Sequence, residues 1–339
     1  MATHHITMPP PAAPPGHHGQ HLTTRASATD AEARIARAKL SWVFGPSRAH
    51  VTAMVAEHGP QAAYERLSHG DVARETLRPE VRHRLRPIRE QATDGVAEAM
   101  TWCRVVIPED PDWPAGISDL TRVVGSSPVC LWALGPAPTP QPATTVTVTG
   151  TDVATPYGVW TTDEIATELA VAGRTVVSTG IRGIDGTALR AAAACDAAVA
   201  VLPCGLRQLY PQASVDMYRR LAVTGLLLSA WPPDAQASTR RWSANRSLLA
   251  TVSGGTVVVE AAHGAVAIGT LQRALRFGRR GMVVPGPVTS TVSGGCHQLL
   301  RADPRVRAVT SAADIIADLA TDPIADRITT HAAMSTGGA

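Results

Sequence analysis

Short, continuous apolar runs recur through the second half of the chain, most of them separated by stretches with helical character. Runs of this kind are typical of strands that are buried on both faces of a parallel sheet covered by helices. Residues 129–133, just before this region, are predicted to join the same sheet. The pattern therefore predicts an α/β fold built on an open, mainly parallel sheet. The predicted strands are residues 145–149, 175–178, 197–202, 225–229, 255–260, 282–285 and 307–310.

The clearest unit lies at residues 174–206, where a buried strand is followed by a glycine-rich turn, a helix of small residues and a second buried strand. This order is that of the βαβ unit of a parallel sheet. Gly180, Gly183 and Gly186 allow positive φ and a close approach of the backbone to a ligand. Ligands of such sheets bind beyond the carboxyl ends of the strands, near helix N-termini. Tight packing alone is the other interpretation, because the dinucleotide fingerprint is incomplete here.

The remaining chain differs from this core in composition. The N-terminal end is rich in Pro, His, Gly and Thr, so we expect it to be disordered. Helical spacing follows, with breaks at Gly45-Pro46 and Gly59-Pro60, and then a proline-rich stretch with short extended pieces. The predicted segments are a disordered tail at 1–28, a helical domain at 29–100, an extended connector at 101–143, the α/β core at 144–316 and a C-terminal tail at 317–339.

Arginine dominates the charge, and its distribution along the chain is uneven. The formal net charge is +3, and only one of the 31 basic residues is a lysine. Residues 236–310 hold ten arginines against only Glu260 and Asp303, which gives a local charge of +8. A region of this charge attracts phosphates, although an arginine-rich face exposed to solvent gives the same count.

Cysteine usage and hydropathy exclude several classes. The five cysteines are scattered and form no CxxC pair, so neither a disulfide framework nor a zinc site is predicted. No run approaches the ~20 apolar residues of a membrane span, and the N-terminus lacks the basic and apolar regions of a secretory signal. We therefore expect a cytoplasmic protein without a membrane segment, a metal or a cofactor.

Seven phrases of the core belong together in order and spacing. They are ATPYG (154–158), STGIRGIDG (178–186), LPCGLRQLYP (202–211), GLLLSAWPP (225–233), NRSLLATVSGGTVVVEAA (245–262), VPGPVTSTVSGGCHQLL (284–300) and VTSAADI (309–315). Together they resemble the DNA-processing protein A family (DprA, also called Smf or DNA-protecting protein), over about residues 30–316. The resemblance implies a SAM-like or helix-hairpin-helix domain before an extended Rossmann-like domain with a mixed sheet edge. It also implies a homodimer that binds and protects incoming single-stranded DNA and loads RecA recombinase in natural transformation and competence, without catalysis.

The same resemblance assigns candidate DNA-binding residues. Trp242 would stack on a base, while Asn245 and Arg246 would line the pocket; packing of Trp242 on the domain surface is the simpler interpretation. Arginines and glycine-loop amides suit a phosphate chain, and flat side chains suit unstacked bases. Gly294 and His297 belong to a loop beside the same cleft, where they support the loop structure. The full set is Gly150, Arg182, Gly183, Trp242, Asn245, Arg246, Gly294 and His297.

Three positions depart from the family pattern at the predicted pocket. Gly150-Thr151-Asp152 stands where the family has Gly-Ser-Arg or Gly-Ala-Arg, so a carboxylate replaces a phosphate-binding cation. Ala265-Val266-Ala267 replaces Ser-Gly-Ser, and Leu189 replaces a histidine. Two alternatives stay open on these grounds: a nucleotide-binding or nucleotide-hydrolysing Rossmann-like protein, and a degenerate paralogue that binds protein partners.

Overall fold

The computed structural model describes residues 28–69, 71–72, 75–76 and 79–321. The predicted disordered tail, apart from residue 28, lies outside these residues, as does the predicted C-terminal tail beyond residue 321. The predicted domain boundaries stay predictions. Within the described ranges, no helix combines the length and the apolar character that crossing a bilayer requires.

Among the described residues, three helices and a small hairpin precede the main sheet. α1 ends at Phe44, just before the predicted break at Gly45-Pro46, and α2 is interrupted at Gly59, whose φ of 77° is not helical. Proline follows at position 60, where it begins the second half of α2 without an unsatisfied helical N–H. The elements are α1 (Ala28–Phe44), α2 (Ala49–Ser68), β1 (Asp71–Val72), β2 (Glu75–Thr76) and α3 (Pro79–Ala99).

A nine-stranded sheet forms the centre of the molecule. Its strands are β3 (Arg104–Val106), β4 (Leu131–Leu134), β5 (Thr145–Thr149), β6 (Thr175–Ser178), β7 (Ala198–Leu202), β8 (Leu226–Ser229), β9 (Gly255–Val258), β10 (Arg280–Val283) and β11 (Val306–Ala308). The order across the sheet is β11-β10-β9-β5-β6-β7-β8-β4-β3. The seven strands from β5 to β11 are parallel, while β3 and β4 pair antiparallel at one edge. The predicted α/β, Rossmann-like sheet with a mixed edge is confirmed.

Helices cover both faces of this sheet. They are α4 (Ser118–Val124), α5 (Pro156–Val171), α6 (Ile184–Ala193), α7 (Val215–Thr224), α8 (Thr239–Thr251), α9 (Val266–Arg276), α10 (Gly294–Ala302) and α11 (Ala312–Ala320). Alternate residues of β7 show the two faces, because side chains of a strand point in opposite directions in turn. Ala198 and Ala200 belong to the core that contains α5 and α6, whereas Val199 and Val201 pack with α8 residues such as Leu249.

The connector differs in detail from the prediction. The prolines at 114 and 128 flank α4 rather than interrupt it, so a short helix fits between them. Gly125 ends this helix with φ 83°, a conformation in which glycine carries no steric cost. The apolar pattern of so short a helix does not distinguish it from a loop.

The N-terminal helices are fixed to the sheet edge by polar and aromatic contacts. Arg34 donates to the Asp110 carboxylate through both terminal nitrogens at 2.5 Å, and to the carbonyl of Val105 at 2.6 Å. The Trp42 ring meets the edge of the buried Trp132 ring with centroids 6.1 Å apart. These contacts join α1 directly to β3 and β4.

Candidate nucleic-acid interface

The chain reverses its direction across the sheet between β5 and β9. β5 to β8 follow one another to one side of this point, and β9 to β11 to the other, so the loops after β5 and β9 border a crevice at the carboxyl edge. Open α/β sheets bind ligands at such a crevice, where the next helix N-terminus attracts anions.

An internal carboxylate occupies the N-terminus of α5 at this crevice. Glu260, 1% exposed, accepts hydrogen bonds from the Thr155 amide at 2.9 Å and the Thr155 hydroxyl at 2.6 Å. Thr155 in turn caps α5 by accepting from the Gly158 amide. A Cβ at Gly158 would lie 2.2 Å from the Glu260 carboxylate, so only glycine fits there. This arrangement does not favour the nucleotide-binding alternative, because the position that a phosphate would take is filled.

Asp185 joins the loops that follow β5 and β6. Its buried carboxylate accepts from the hydroxyl of Thr149 at 2.7 Å, from the amide of Gly150 at 3.3 Å, and from the amide and hydroxyl of Thr179. Burial raises the pKa of this carboxyl above its ordinary value, and the hydrogen bonds from Thr179 and Thr149 oppose that rise. Asp185 therefore orients the two loops and is not accessible to a ligand.

Gly150 and Gly183 allow these two loops to touch. Gly183 has φ 86°, and a Cβ there would lie 2.3 Å from the carbonyl oxygen of Thr151. A Cβ at Gly150 would lie 2.6 Å from the Ile184 side chain. The predicted site glycines thus serve close packing at this edge of the sheet.

Asp152 and Arg182 are the charged residues that these loops expose. Within the described residues, neither makes an ion pair or a side-chain hydrogen bond. A Cβ at Gly183 would lie 2.7 Å from the Asp152 Cα, which places the Asp152 backbone against the residue that follows Arg182. The negative charge therefore stands at the crevice beside the one predicted cation of this loop.

α8 carries the second group of predicted residues. Its N-terminus is capped by Ser238, whose hydroxyl accepts from the Arg241 amide at 3.4 Å. Trp242 packs edge-on against Tyr210, whose ring is half exposed, with centroids 6.4 Å apart. Asn245 is 2% exposed and donates to the carbonyl of Val201 in β7 at 2.8 Å.

Arg246 lies on the flank of α8 that faces α9. Its Nε is buried without a hydrogen-bond partner, and its guanidinium borders a pocket of about 390 Å³ at the start of α9. Arg273 of α9 approaches the same place and donates to the Gly269 carbonyl at 3.0 Å and to Ser243 at 3.4 Å. Burial first, and then the charges of Arg246 and Arg276, lower the pKa of Arg273. Such mutual repulsion favours an anion between these side chains.

Some of the ten arginines of the basic region at residues 236–310 form ion pairs, so fewer of them are available to a ligand. Arg279 pairs with Asp119 at 2.7 Å, Arg305 with Asp303 at 2.6 Å and Arg307 with Asp318 at 3.3 Å. In the described part of the chain, the following arginines of this region pair with no carboxylate: 240, 241, 246, 273, 276 and 301. We call these six residues the arginine group; all of them lie on α8, α9 or α10.

Gly294 and His297 lie on α10, beside the loops after β9 and β10. A Cβ at Gly294 would lie 2.7 Å from a ring nitrogen of His263. His297 Nε2 lies 3.0 Å from the carbonyl of Gly286, an arrangement in which the ring N–H donates to the loop. Both residues support loop structure here.

The predicted residues thus form three groups along the carboxyl edge. The first is the pair of loops with Gly150, Arg182 and Gly183; the second is the α8 group, and the third is the start of α10. Tyr210 and Arg273 also belong to the α8 group and are not among the residues predicted from the sequence, although Tyr210 lies in one of the family-like phrases. Their contacts with Trp242 and Ser243 span 32 and 30 residues, so no local pattern indicates them.

Comparison with known proteins gives consistent matches. The family model described as DNA recombination-mediator protein A matches residues 104–320, which is more than half of the chain. The chain is 37% identical over 288 residues to the putative DNA processing protein DprA of Mycobacterium tuberculosis (strain H37Rv), covering 82% of this chain and 73% of that protein. It is 27% identical over 224 residues to protein Smf of Synechocystis, covering 65% and 55%.

Solved structures share the fold. DNA processing protein A from Streptococcus pneumoniae superposes with a TM-score of 0.67 at 22% identity, covering 85% of this chain and 97% of that one. DNA processing protein A from Helicobacter pylori, described for its single-stranded DNA binding mode, superposes with a TM-score of 0.56 at 23% identity, covering 64% and 95%. This family comprises DNA-processing proteins rather than known enzymes. From the matched family model and the extent of identity, the chain belongs to the DNA recombination-mediator protein A (DprA/Smf) family.

Proposed function

We propose that this protein binds single-stranded DNA along the carboxyl edge of its sheet, over the flanks of α8 and α9. The observation that carries the proposal is the arginine group, six guanidiniums that pair with no carboxylate of the described residues, beside the aromatic pair Tyr210 and Trp242. Guanidiniums release counterions from a phosphate chain, and aromatic rings stack on bases of a single strand. The DNA binding described for the Helicobacter pylori relative supports the same class of ligand.

The finer role is that of a recombination mediator. We propose that the protein protects incoming single strands in the cytoplasm and loads RecA recombinase on them during natural transformation, as a homodimer and without a catalytic step. Family membership supports this role. Strand protection is tested with a single-strand nuclease, RecA loading by filament formation on coated DNA, and the homodimer by light scattering.

The binding itself is tested by fluorescence anisotropy of a labelled dT oligonucleotide over a salt series, beside a duplex of equal length. We expect preference for the single strand, and a slope of log affinity against log salt that falls by about 0.7 for each phosphate contact removed. Arg246→Ala is the test variant. Arg220→Ala, an exposed arginine of α7 on the opposite face, is the matched control. Absence of binding by the unmodified protein at low salt contradicts the proposal.

A further inference from the structure

A large cleft lies on the other flank of α8, away from α9. Its volume is about 840 Å³. One wall is the end of α1 and the turn to α2, residues 41–48; the loop before β4 contributes Ser126 and Pro128. The opposite wall is the loop at 230–238, except Pro233, together with α8. The cleft thus lies between the N-terminal helices and the sheet domain.

The walls of this cleft are cationic. Arg48 comes from the α1–α2 turn, and Arg240 and Arg241 come from the first turn of α8. None of the three pairs with a carboxylate of the described residues. Asp234 is the single acidic residue among the described residues that line the cleft, and its carboxylate lies 3.3 Å from the guanidinium of Arg207. The cleft therefore carries uncompensated positive charge from both walls.

The cleft also offers flat surfaces and an unused acceptor. The Arg241 guanidinium lies over the Trp231 ring, 5.0 Å from its centroid, so that a planar pair lines the wall beside Phe44. Asn245, almost fully buried, uses its amide N–H on Val201, while its side-chain oxygen has no hydrogen-bond partner. Asn245 lines the cleft. The edge of a nucleobase carries amino and imino N–H groups that can donate a hydrogen bond to this oxygen. The cleft therefore combines cations for phosphates with a stacking surface and a buried acceptor for bases, and these groups are complementary to a nucleic-acid strand.

α8 separates this cleft from the site described above. Arg240 and Arg241 line the cleft, while Arg246, one and a half turns further along, faces α9. A strand held at Arg246 and Trp242 therefore reaches the cleft by crossing the first turns of α8. The crossing is short because both flanks belong to one helix.

We propose that the cleft binds a second segment of the same DNA single strand, with Arg48 and Arg240 on its phosphates and the Arg241–Trp231 pair against a base. This assignment rests on the proposed function and extends it, since it gives the N-terminal helices a direct part in DNA binding. One segment lies along α8 and α9, and the next lies between α8 and the α1–α2 turn. Two linked segments raise affinity through effective concentration rather than through new contact types.

The test is a length series of dT oligonucleotides, from about 4 to about 16 nucleotides, measured by anisotropy. The variant Arg48→Ala, outside the arginine group, keeps the affinity of the unmodified protein for the shortest bound oligonucleotide. It reduces the further gain with length, which we expect to be at least about tenfold in the unmodified protein. Its salt slope for the longest oligonucleotide falls by about 0.7, the value for one phosphate contact. The matched control is Arg220→Ala on α7, with the same charge change on the opposite face.

Each outcome separates the two proposals. If Arg48→Ala binds long oligonucleotides as the unmodified protein does, or weakens the binding of short and long ones equally, the cleft does not bind a second segment, while the proposed function stands. If the unmodified protein binds no oligonucleotide, the proposed function fails. Photocrosslinking with 5-iododeoxyuridine at successive positions gives an independent readout: crosslinks to peptides containing residues 41–48 or Trp231 support the cleft. Crosslinks confined to Trp242 and Tyr210 overturn it.

Discussion

Asp185 shows how one buried side chain sets the geometry of a whole edge. Because burial raises its pKa in the folded state above the ordinary 3.8, the unfolded chain releases this proton at lower pH than the folded protein does. The contribution of this group to stability is therefore largest at low pH, and it decreases as pH rises from 3.8 to the raised folded value. Above that value it is constant.

Replacement of Asp185 by Asn removes this titration. We expect the free energy of unfolding of the unmodified protein, taken relative to Asp185→Asn, to decrease as pH rises through that interval. Urea denaturation of both proteins from about pH 4 to about pH 8 measures it. A difference that stays constant with pH would show that the pKa of Asp185 does not change on folding.

Gly183 is predicted to be irreplaceable for two separable reasons, its positive φ and its contact with Thr151. Gly183→Ala is expected to cost more than about 1 kcal/mol, since alanine at positive φ is strained and its Cβ would also strike the Thr151 carbonyl. Gly173→Ala is the matched control, because Gly173 has φ 76° and open space around it. Thermal and urea unfolding of the two variants separate the cost of positive φ from the cost of the clash with Thr151. Equal losses would mean that the contact between the loops contributes nothing.

Asp152 carries a negative charge at the crevice, and this charge opposes the binding of DNA phosphates. Asp152→Arg exchanges an anion for a cation at the exposed end of the β5 loop, so we expect tighter binding of dT oligonucleotides and a steeper salt slope. Glu168→Arg, which makes the same charge change on exposed α5, is expected to alter binding far less. Anisotropy over a salt series measures both variants. Equal effects would indicate that only net charge matters.

At the scale of elements, α5 depends on a residue that follows the distant strand β9. Glu260→Gln keeps the shape of the side chain but removes the negative charge, which interacts favourably with the positive end of the α5 dipole. We therefore expect the free energy of unfolding to fall by about 1–2 kcal/mol. Glu164→Gln, an exposed carboxylate on the same helix, is the control and is expected to stay within about 0.5 kcal/mol. Urea denaturation measures both. Equal stabilities would show that the charge of Glu260 does not stabilise α5.

The elements of this fold are easier to predict from the sequence than the contacts between them. Apolar runs and glycine turns are local, so the sequence predicts β5 to β11 and the loops with Gly150 and Gly183 to within a few residues. The bond from Thr155 to Glu260 spans 105 residues, and that from Arg279 to Asp119 spans 160. No periodicity indicates such partners, which is why the arginine group could not be distinguished from paired arginines before the fold was known.

For the whole molecule, the docking of the N-terminal helices determines whether the proposed cleft exists. Arg34→Met removes the bidentate bond to Asp110, and we expect the free energy of unfolding to fall by about 1–3 kcal/mol. Among the described residues, the Asp110 carboxylate then keeps only the hydrogen bond from the Ile107 amide. The cleft then loses its fixed α1–α2 wall, so the affinity gain with oligonucleotide length should decrease while short-oligonucleotide binding stays. Urea denaturation and the length series measure the two effects. Arg122→Met, an exposed pair with Asp119, is the control.

The arginine group and α5, which lie on opposite faces of the sheet, differ in charge. The arginine group lies on α8, α9 and α10, whereas the exposed residues of α5 include Asp163, Glu164 and Glu168 and no basic residue. A polyanion is thereby attracted towards the arginine group and repelled from α5 before any contact forms. Arg34→Met leaves the arginine group in place. If this variant loses the affinity gain with oligonucleotide length but still binds short strands, the loss is therefore due to the α1–α2 wall of the cleft and not to a weaker electrostatic attraction.

The carboxylate of Glu260 in the crevice has a consequence for selectivity in the cell. Free nucleoside triphosphates compete best where one strong phosphate position exists, and here the chain fills that position itself. The cations of the arginine group are distributed over α8, α9 and α10, so a ligand whose phosphates are joined by a backbone can contact several of them at once. On the proposed function, we therefore expect the protein to prefer a DNA strand to free nucleotides, because the strand links its phosphates.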